Sequence, residues 1–105
     1  MIHELRTYRI PDGKMPNILA RFENTTFGIF ERHNIKVLAF WTKKDVNELV
    51  YVCEYENEDA MAAAWDAFRA DPDWVSAKAE TEAEGPIVSE VISEMLQPTS
   101  FSPIK

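Results

Sequence analysis

The stretch Arg32-His33-Asn34-Ile35-Lys36-Val37-Leu38-Ala39-Phe40-Trp41-Thr42-Lys43 constrains this chain more than any other. Across it the apolar pattern changes from a helical period to a strand period. Asn34 sits at the junction, and asparagine tolerates the left-handed conformation that ends a helix. Upstream, Ile18, Phe22, Ile29 and His33 fall on one helical stripe, with Leu19, Thr26 and Phe30 beside it. Pro16 suits the first helical position, so one long helix is expected from about there to His33. Gly28 inside that helix costs about 1 kcal/mol relative to Ala. Either it permits a close approach of the sheet or a ligand, or it is a tolerated weak spot. Downstream, Ile35 to Thr42 alternates as a strand, with Val37, Ala39 and Trp41 expected on one face. Lys36, Leu38, Phe40 and Thr42 take the other.

The rest of the chain fits around that passage. Ile2 to Ile10 reads as a strand with Ile2, Glu4, Arg6, Tyr8 and Ile10 on one face. Pro11-Asp12-Gly13-Lys14 is a turn in which Gly13 takes the positive φ. Lys43 to Asn47 is a turn of hairpin length, and Glu48 to Glu56 is the most β-prone run in the chain. Asn57 is placed to cap a helix in which Met61, Ala64, Trp65 and Phe68 share a face. Asp71-Pro72 stops it and starts a shorter helix reaching about Glu84, which Gly85-Pro86 ends. Ile87 to Leu96 is a last strand. A tail over 97–105 holds Phe101, which is expected to dock on the domain or on a partner.

The order is β-α-β-β-α-(α)-β, and two right-handed crossovers around a hairpin give a split βαβ, ferredoxin-like α+β sandwich. All helices then lie on one face. Tyr8, Trp41, Tyr51 and Tyr55 are expected to make the opposite face too apolar for water. A second identical sheet packed on it would form a dimeric α+β barrel. Which strand face meets the helices is open at this point, and the choice moves half of the candidate site.

At 105 residues the chain is one domain. Its single Cys excludes an intrachain disulfide framework. No apolar run reaches the ~18 residues of a membrane helix, and the first residues lack the apolar core of a signal peptide, so a cytoplasmic location is expected. The net charge of −7, with Asp71, Asp73, Glu80, Glu82 and Glu84 in the second half, disfavours nucleic acid. The acidic run reads as a solvated helix face or an acidic docking surface.

Several pieces in order resemble the NIPSNAP family: Glu4-Leu5-Arg6-Thr7-Tyr8, Arg32-His33-Asn34, Phe40-Trp41-Thr42, Tyr55-Glu56, Asp71-Pro72-Asp73-Trp74, and Leu96-Gln97-Pro98 leading to Phe101-Ser102-Pro103. Asn34 departs from the family pattern, which favours Gly there; both residues tolerate positive φ. The resemblance implies the barrel and a homodimer but no established reaction. Related barrels include cofactor-independent quinol monooxygenases, haem-degrading and haem-peroxidase enzymes, and lactone isomerases.

Candidate chemistry is sparse. His33 is a general acid/base or ligand-orienting donor at a pocket rim, or else a cap for its own helix. Arg6 and Tyr8 share a face and suit an anionic or phenolic group, or Arg6 pairs with Glu4 or another strand glutamate. Trp41, Tyr51 and Tyr55 form an aromatic lining, or belong to core and interface. Trp65 and Trp74 read as packing, Cys53 as a buried inert thiol, and His3 as a surface or interface group. Two His and one Cys give no metal-ligand spacing, and three Gly are too few for a phosphate loop. No cofactor is expected; a haem would have only His33 as an axial ligand. The expectation is a homodimer binding a small apolar or aromatic molecule with an anionic end between sheet and long helix. Arg6, Tyr8, His33, Trp41 and Tyr51 are its expected lining. A cofactor-independent monooxygenase or isomerase using His33 or Tyr8, and a structural dimer without ligand, are the alternatives.

Overall fold

Residues 1–104 are described by the computed structural model. Four strands, β1 (Ile2–Arg9), β2 (Lys36–Thr42), β3 (Glu48–Tyr55) and β4 (Glu90–Leu96), form one sheet in the order β2-β3-β1-β4. Each neighbouring pair is antiparallel. Helices α1 (Met15–Arg21) and α2 (Phe27–Arg32) join β1 to β2, while α3 (Glu58–Ala70) and α4 (Pro72–Thr81) join β3 to β4. This is the expected ferredoxin-like α+β sandwich.

The punctuation follows the side chains. Gly13 has φ +78° and Asn34 φ +59°, the conformations that the first turn and the helix end need. Asn57 caps α3 by accepting the Ala60 N–H at 2.8 Å. Asp71 ends α3 and caps α4 through the Asp73 N–H at 2.9 Å, with Pro72 opening the new helix. The last helix stops at Thr81, earlier than the sequence pattern implies, and β4 begins at Glu90.

The long helix has an internal feature that the periodicity does not announce. Between α1 and α2, Phe22–Thr26 forms a π turn, closed by the Phe27 N–H bonding back to the Phe22 carbonyl. Buried Phe22, Thr26 and Phe30 recur every fourth residue. In an unbroken α-helix each such step runs about 40° past a full turn, so the row would rotate off the sheet. The wider turn takes back that drift and keeps the row inward. Gly28 meets nothing: a Cβ there would have no heavy atom within 4 Å. The close-approach reading of Gly28 therefore fails, and the weak-spot reading stands.

The core lies between the helices and one sheet face. Leu49, Tyr51, Cys53 and Tyr55 of β3 are buried there, opposite Glu4, Arg6 and Tyr8 of β1. Phe30 is 1 % exposed and packs on Phe68 at 5.1 Å and Trp65 at 5.4 Å between ring centroids. Such tilted and edge-on pairs add ~0.5–1.5 kcal/mol each beyond area burial.

Two sequence expectations need correction. Tyr8, Tyr51 and Tyr55 do not form the uncovered face, because all three point at the helices. They share hydrogen-bonding partners there, so the face with the most hydroxyls is the one covered by the chain itself. Strict alternation also fails in β2. Val37 pairs with Cys53 but Ala39 with Val52, so Leu38 is an extra residue in a bulge. Beyond it the faces swap relative to Val37. Phe40 turns toward the helices, 4.9 Å from the Tyr51 ring, while Ala39 and Trp41 turn away.

Candidate functional site

The helix side of β1 carries a chain of polar side chains with little access to water. Arg6 donates from Nε to the Tyr51 hydroxyl at 2.8 Å and from Nη1 to Glu4 at 3.1 Å. Tyr51 and Tyr8 share a hydroxyl–hydroxyl bond of 2.7 Å. Glu4 also accepts from Tyr55 at 2.6 Å and from Ser93, and Tyr55 accepts the Trp65 indole N–H at 2.7 Å. The strand period and the β1–β3 register place these groups together, since Arg6 lies opposite Tyr51 and Glu4 opposite Cys53.

The electrostatics follow from this packing. Burial pushes the Glu4 carboxyl up, but the Ser93 and Tyr55 hydroxyls and the Arg6 charge outweigh it and hold Glu4 below its ordinary value. Burial drives Tyr51 well above the ordinary phenol value, with Tyr8 adding to the rise and Arg6 opposing it. Tyr55 is likewise raised by burial and by its bond to Glu4. Burial alone would lower Arg6, yet Tyr51, Tyr8 and Glu4 around it keep the guanidinium firmly charged. Cys53 is pushed up to about 11 by burial, which makes it a poor nucleophile.

Beside this network is a cavity of about 360 Å³ between the sheet and the helices. Arg6 and Tyr8 reach it from β1, and Val91 from β4. Arg21, Phe22 and Thr26 form the wall from α1 and the π turn. Trp65 and Phe68 of α3, and Trp74 and Lys78 of α4, close the other side. Two arginines lie against indole faces: Arg6 stands 4.1 Å from the Trp65 ring centroid and Arg21 4.8 Å from that of Trp74. Arg21 also bonds Glu82 at 2.9 Å and Thr81 at 3.2 Å.

Of the five residues expected to line a pocket, Arg6 and Tyr8 do so and Tyr51 stands directly behind them. His33 lies elsewhere. Its ring is bonded to Asp71 at 2.6 Å, tying the end of α2 to the α3–α4 junction rather than capping its own helix. Asp71 is held down to about 2, by His33 first, with burial opposing and the Asp73 N–H and Arg32 assisting. His33 borders a separate groove with Arg32, Lys36 and the alanines of α3. Trp41 is on the opposite sheet face and 53 % exposed. His3, read as a surface or interface group, is 4 % exposed and bonded to Glu54 at 3.0 Å on that same face. Arg21, Thr26 and Trp74 were not foreseen as site residues. The sequence signals were Arg21 falling three residues after Ile18 on one face of α1 and the fourfold spacing of Phe22, Thr26 and Phe30.

The family model for NIPSNAP matches residues 3–103. This chain belongs to the NIPSNAP family. Among solved structures, the domain is similar to an uncharacterised NIPSNAP domain protein from Burkholderia xenovorans, with 28 % identity, TM-score 0.84, and 98 % of this chain and 99 % of that one covered. It is similar to protein Atu4242 from Agrobacterium tumefaciens at 24 % identity and TM-score 0.88, both chains being covered in full. SnoaB, described as a cofactor-independent oxygenase from Streptomyces nogalater, shares the fold at 15 % identity and TM-score 0.62, with 97 % of this chain and 96 % of that one covered. MhuD, solved with two manganese protoporphyrins per active site, shares it at 17 % identity and TM-score 0.63, covering 93 % and 94 %. No curated protein sequence matches. The NIPSNAP chain thus has the fold of the dimeric α+β barrels.

The porphyrin seen in MhuD has no matching ligand set in the cavity of this NIPSNAP domain. No His, Cys or Met lines it, and the one axial-ligand type present, the Tyr8 hydroxyl, is already bonded to Tyr51, so the wall does not fit an axially ligated haem. Among the described residues, no three His, Cys, Asp or Glu stand close enough together to hold a metal ion, and no helix is long and apolar enough to cross a membrane.

Proposed function

We propose that this NIPSNAP domain is a homodimer that binds a small, largely apolar molecule with one polar or anionic end, in the cavity between the sheet and the long helix. The observation that carries this reading is the cavity wall itself. Arg6 and Tyr8 are fixed by buried partners and face aromatic rings across a space within the usual range of ligand sites. A wall prepared in this way orients a ligand without reorganising first.

The dimer rests on the uncovered sheet face. Leu5, Val50, Val52, Ala39, Trp41 and Ile92 lie on it, away from the face that carries Tyr8 and Tyr51, and the tail comes beside Leu38 and Val52 at one end. A two-fold partner would cover this patch with its own copy. Phe101, 85 % exposed on the tail, would dock on that partner. A cytoplasmic location completes the reading, in keeping with the single free thiol of Cys53.

A second reading, a cofactor-independent oxygenase, draws on the Tyr8 hydroxyl at the cavity wall. There Tyr8 would orient a phenolic substrate. It finds less support because Tyr51 stays protonated at neutral pH and Glu4 is already bonded by three donors, so this network holds no free base. Native mass spectrometry of freshly purified protein tests the proposal. A dimer retaining a small molecule is expected. A monomer at micromolar concentration would sink the dimer, and oxygen uptake with a quinol that Tyr8→Phe abolishes would move the assignment to the oxygenase.

A further inference from the structure

The end of α1 and the π turn that follows it bring two polar side chains to the cavity that the proposed function does not use. Arg21 is 6 % exposed and Thr26 is 3 % exposed. Arg21 Nε and Thr26 Oγ1 are both cut off from water and have no hydrogen-bond partner among the described residues. Leaving such groups unpaired costs ~1–3 kcal/mol each, and most buried polar atoms avoid it. Both residues border the same cavity. A single wide turn in a helix is also a common device for re-aiming side chains at a functional site.

Cationic side chains stand at the wall: Arg6, Arg21, Arg69 and Lys78 line the cavity, with Arg6 paired to Glu4, Arg21 to Glu82 and Arg69 to Asp66. Around it stand flat rings, with Trp74 already stacked under the Arg21 guanidinium.

We propose that the cavity recognises an aromatic carboxylate, with its anionic group taken by Arg21 and Thr26 and its ring by Trp74 and the neighbouring aromatics. The inference rests on the binding role proposed above and assigns its anionic end to the π turn rather than to Arg6. Arg6 uses both Nε and Nη1 on Tyr51 and Glu4, whereas Arg21 uses Nη1 on Glu82 and Thr81 and its Nε has no partner among the described residues. The carboxylate supplies the acceptor that Nε and the Thr26 hydroxyl lack, and such charged hydrogen bonds are stronger than neutral ones.

The test compares 2-naphthoate with its neutral isostere 2-naphthamide by isothermal titration calorimetry, using wild type, Arg21→Gln and Thr26→Val. The acid should bind at least tenfold more tightly than the amide in wild type. Both variants should erase most of that preference while leaving amide binding in place. Thr26→Val carries the sharper arm, since it removes an unpaired hydroxyl and should leave the melting temperature unchanged or raised. If the acid and the amide bind alike, or if both variants keep the preference, the assignment to the π turn is overturned and the cavity reading survives. If neither compound binds, both proposals fall together.

Discussion

Tyr51, on the helix side of β3, is completely buried, whereas Trp41, on the other side of the β2–β3 hairpin, is 53 % exposed. Both are large aromatics on paired strands. The difference lies in what covers them. On the helix side the chain supplies its own cover, so every polar group brought inside needs a partner, and Glu4, Arg6, Tyr8, Tyr51 and Tyr55 supply one another. On the open side Leu5, Val50 and Val52 are only partly shielded. That face keeps apolar surface that the helices do not cover, and the tail residues Pro98, Ser102 and Ile104 lie beside only part of it, next to Leu38 and Val52. One sheet thus has two unlike faces: one builds the core and cavity, and the other is the face proposed above to meet a partner.

The largest expected effect separates the faces by core deletion. Phe30→Ala removes a ring packed on Phe68, Trp65 and Phe22 and should lower unfolding free energy by about 3–5 kcal/mol. Trp41→Ala should cost the isolated protomer less than about 1 kcal/mol, because its ring is half in water already. Its effect should appear as weaker self-association. Urea denaturation and analytical ultracentrifugation on both variants make the check. Equal losses of protomer stability would erase the distinction between the faces.

A smaller effect compares Glu4, which is buried, with Glu54, which is half-buried. Glu4 on the helix side and Glu54 on the open side both titrate below the ordinary 4.5. For Glu4, donors and the Arg6 charge outweigh burial; for Glu54 the cause is His3 first and Lys36 next. A value depressed by folding stabilises the fold above the unfolded value and loses that contribution as pH falls through the folded one. Stability should therefore fall as pH drops below the ordinary carboxylate value of 4.5, and Glu→Gln at either site should flatten that drop. At neutral pH the sites should differ. Glu4→Gln strips the charge from a pair that the core encloses and should cost roughly 3 kcal/mol. Glu54→Gln should cost less, since Lys36 meets it at the surface. Denaturant titrations across this pH range decide it. An unchanged acid slope in Glu4→Gln would mean that Glu4 contributes nothing to acid unfolding.

The same contrast explains what the sequence could disclose. Element order was legible because caps and turns are local: Asn57, Asp71-Pro72, Gly13 and Asn34 act within a few residues of themselves. The pairing of Arg6 and Tyr8 on one face was legible from the period of two. The faces of β2 were not, because one extra residue at Leu38 shifts everything after it, and no residue type marks a bulge. Arg21 was hidden for a different reason. Its place three residues after buried Ile18 sets it on the inner side of α1, but an arginine is ordinarily exposed unless paired, and its partners, Trp74 of α4 and Glu82 just beyond α4, lie far along the chain. His33 was conspicuous by its place at a helix end, yet its partner Asp71 lies far along the chain, beyond any local reading.

The smallest effect sets neighbouring residues against each other. Tyr8 and Thr7 are adjacent in β1 and point to opposite faces, Tyr8 to the cavity and Thr7 between Val50 and Ile92. Tyr8→Phe keeps the ring and deletes the hydroxyl bonded to Tyr51, so it should cost about 1 kcal/mol. Thr7→Val deletes a hydroxyl on the face proposed to meet a partner. Valine fits a strand at least as well as threonine, so protomer stability should hold within about 0.5 kcal/mol and self-association should strengthen. Paired urea curves and sedimentation measure both. If Tyr8→Phe proves as silent as Thr7→Val, water replaces the Tyr8–Tyr51 contact at no cost. The polar chain on the helix side would then be tolerated by the fold rather than hold it, and its ordering of the cavity wall would have to come from the aromatic packing alone.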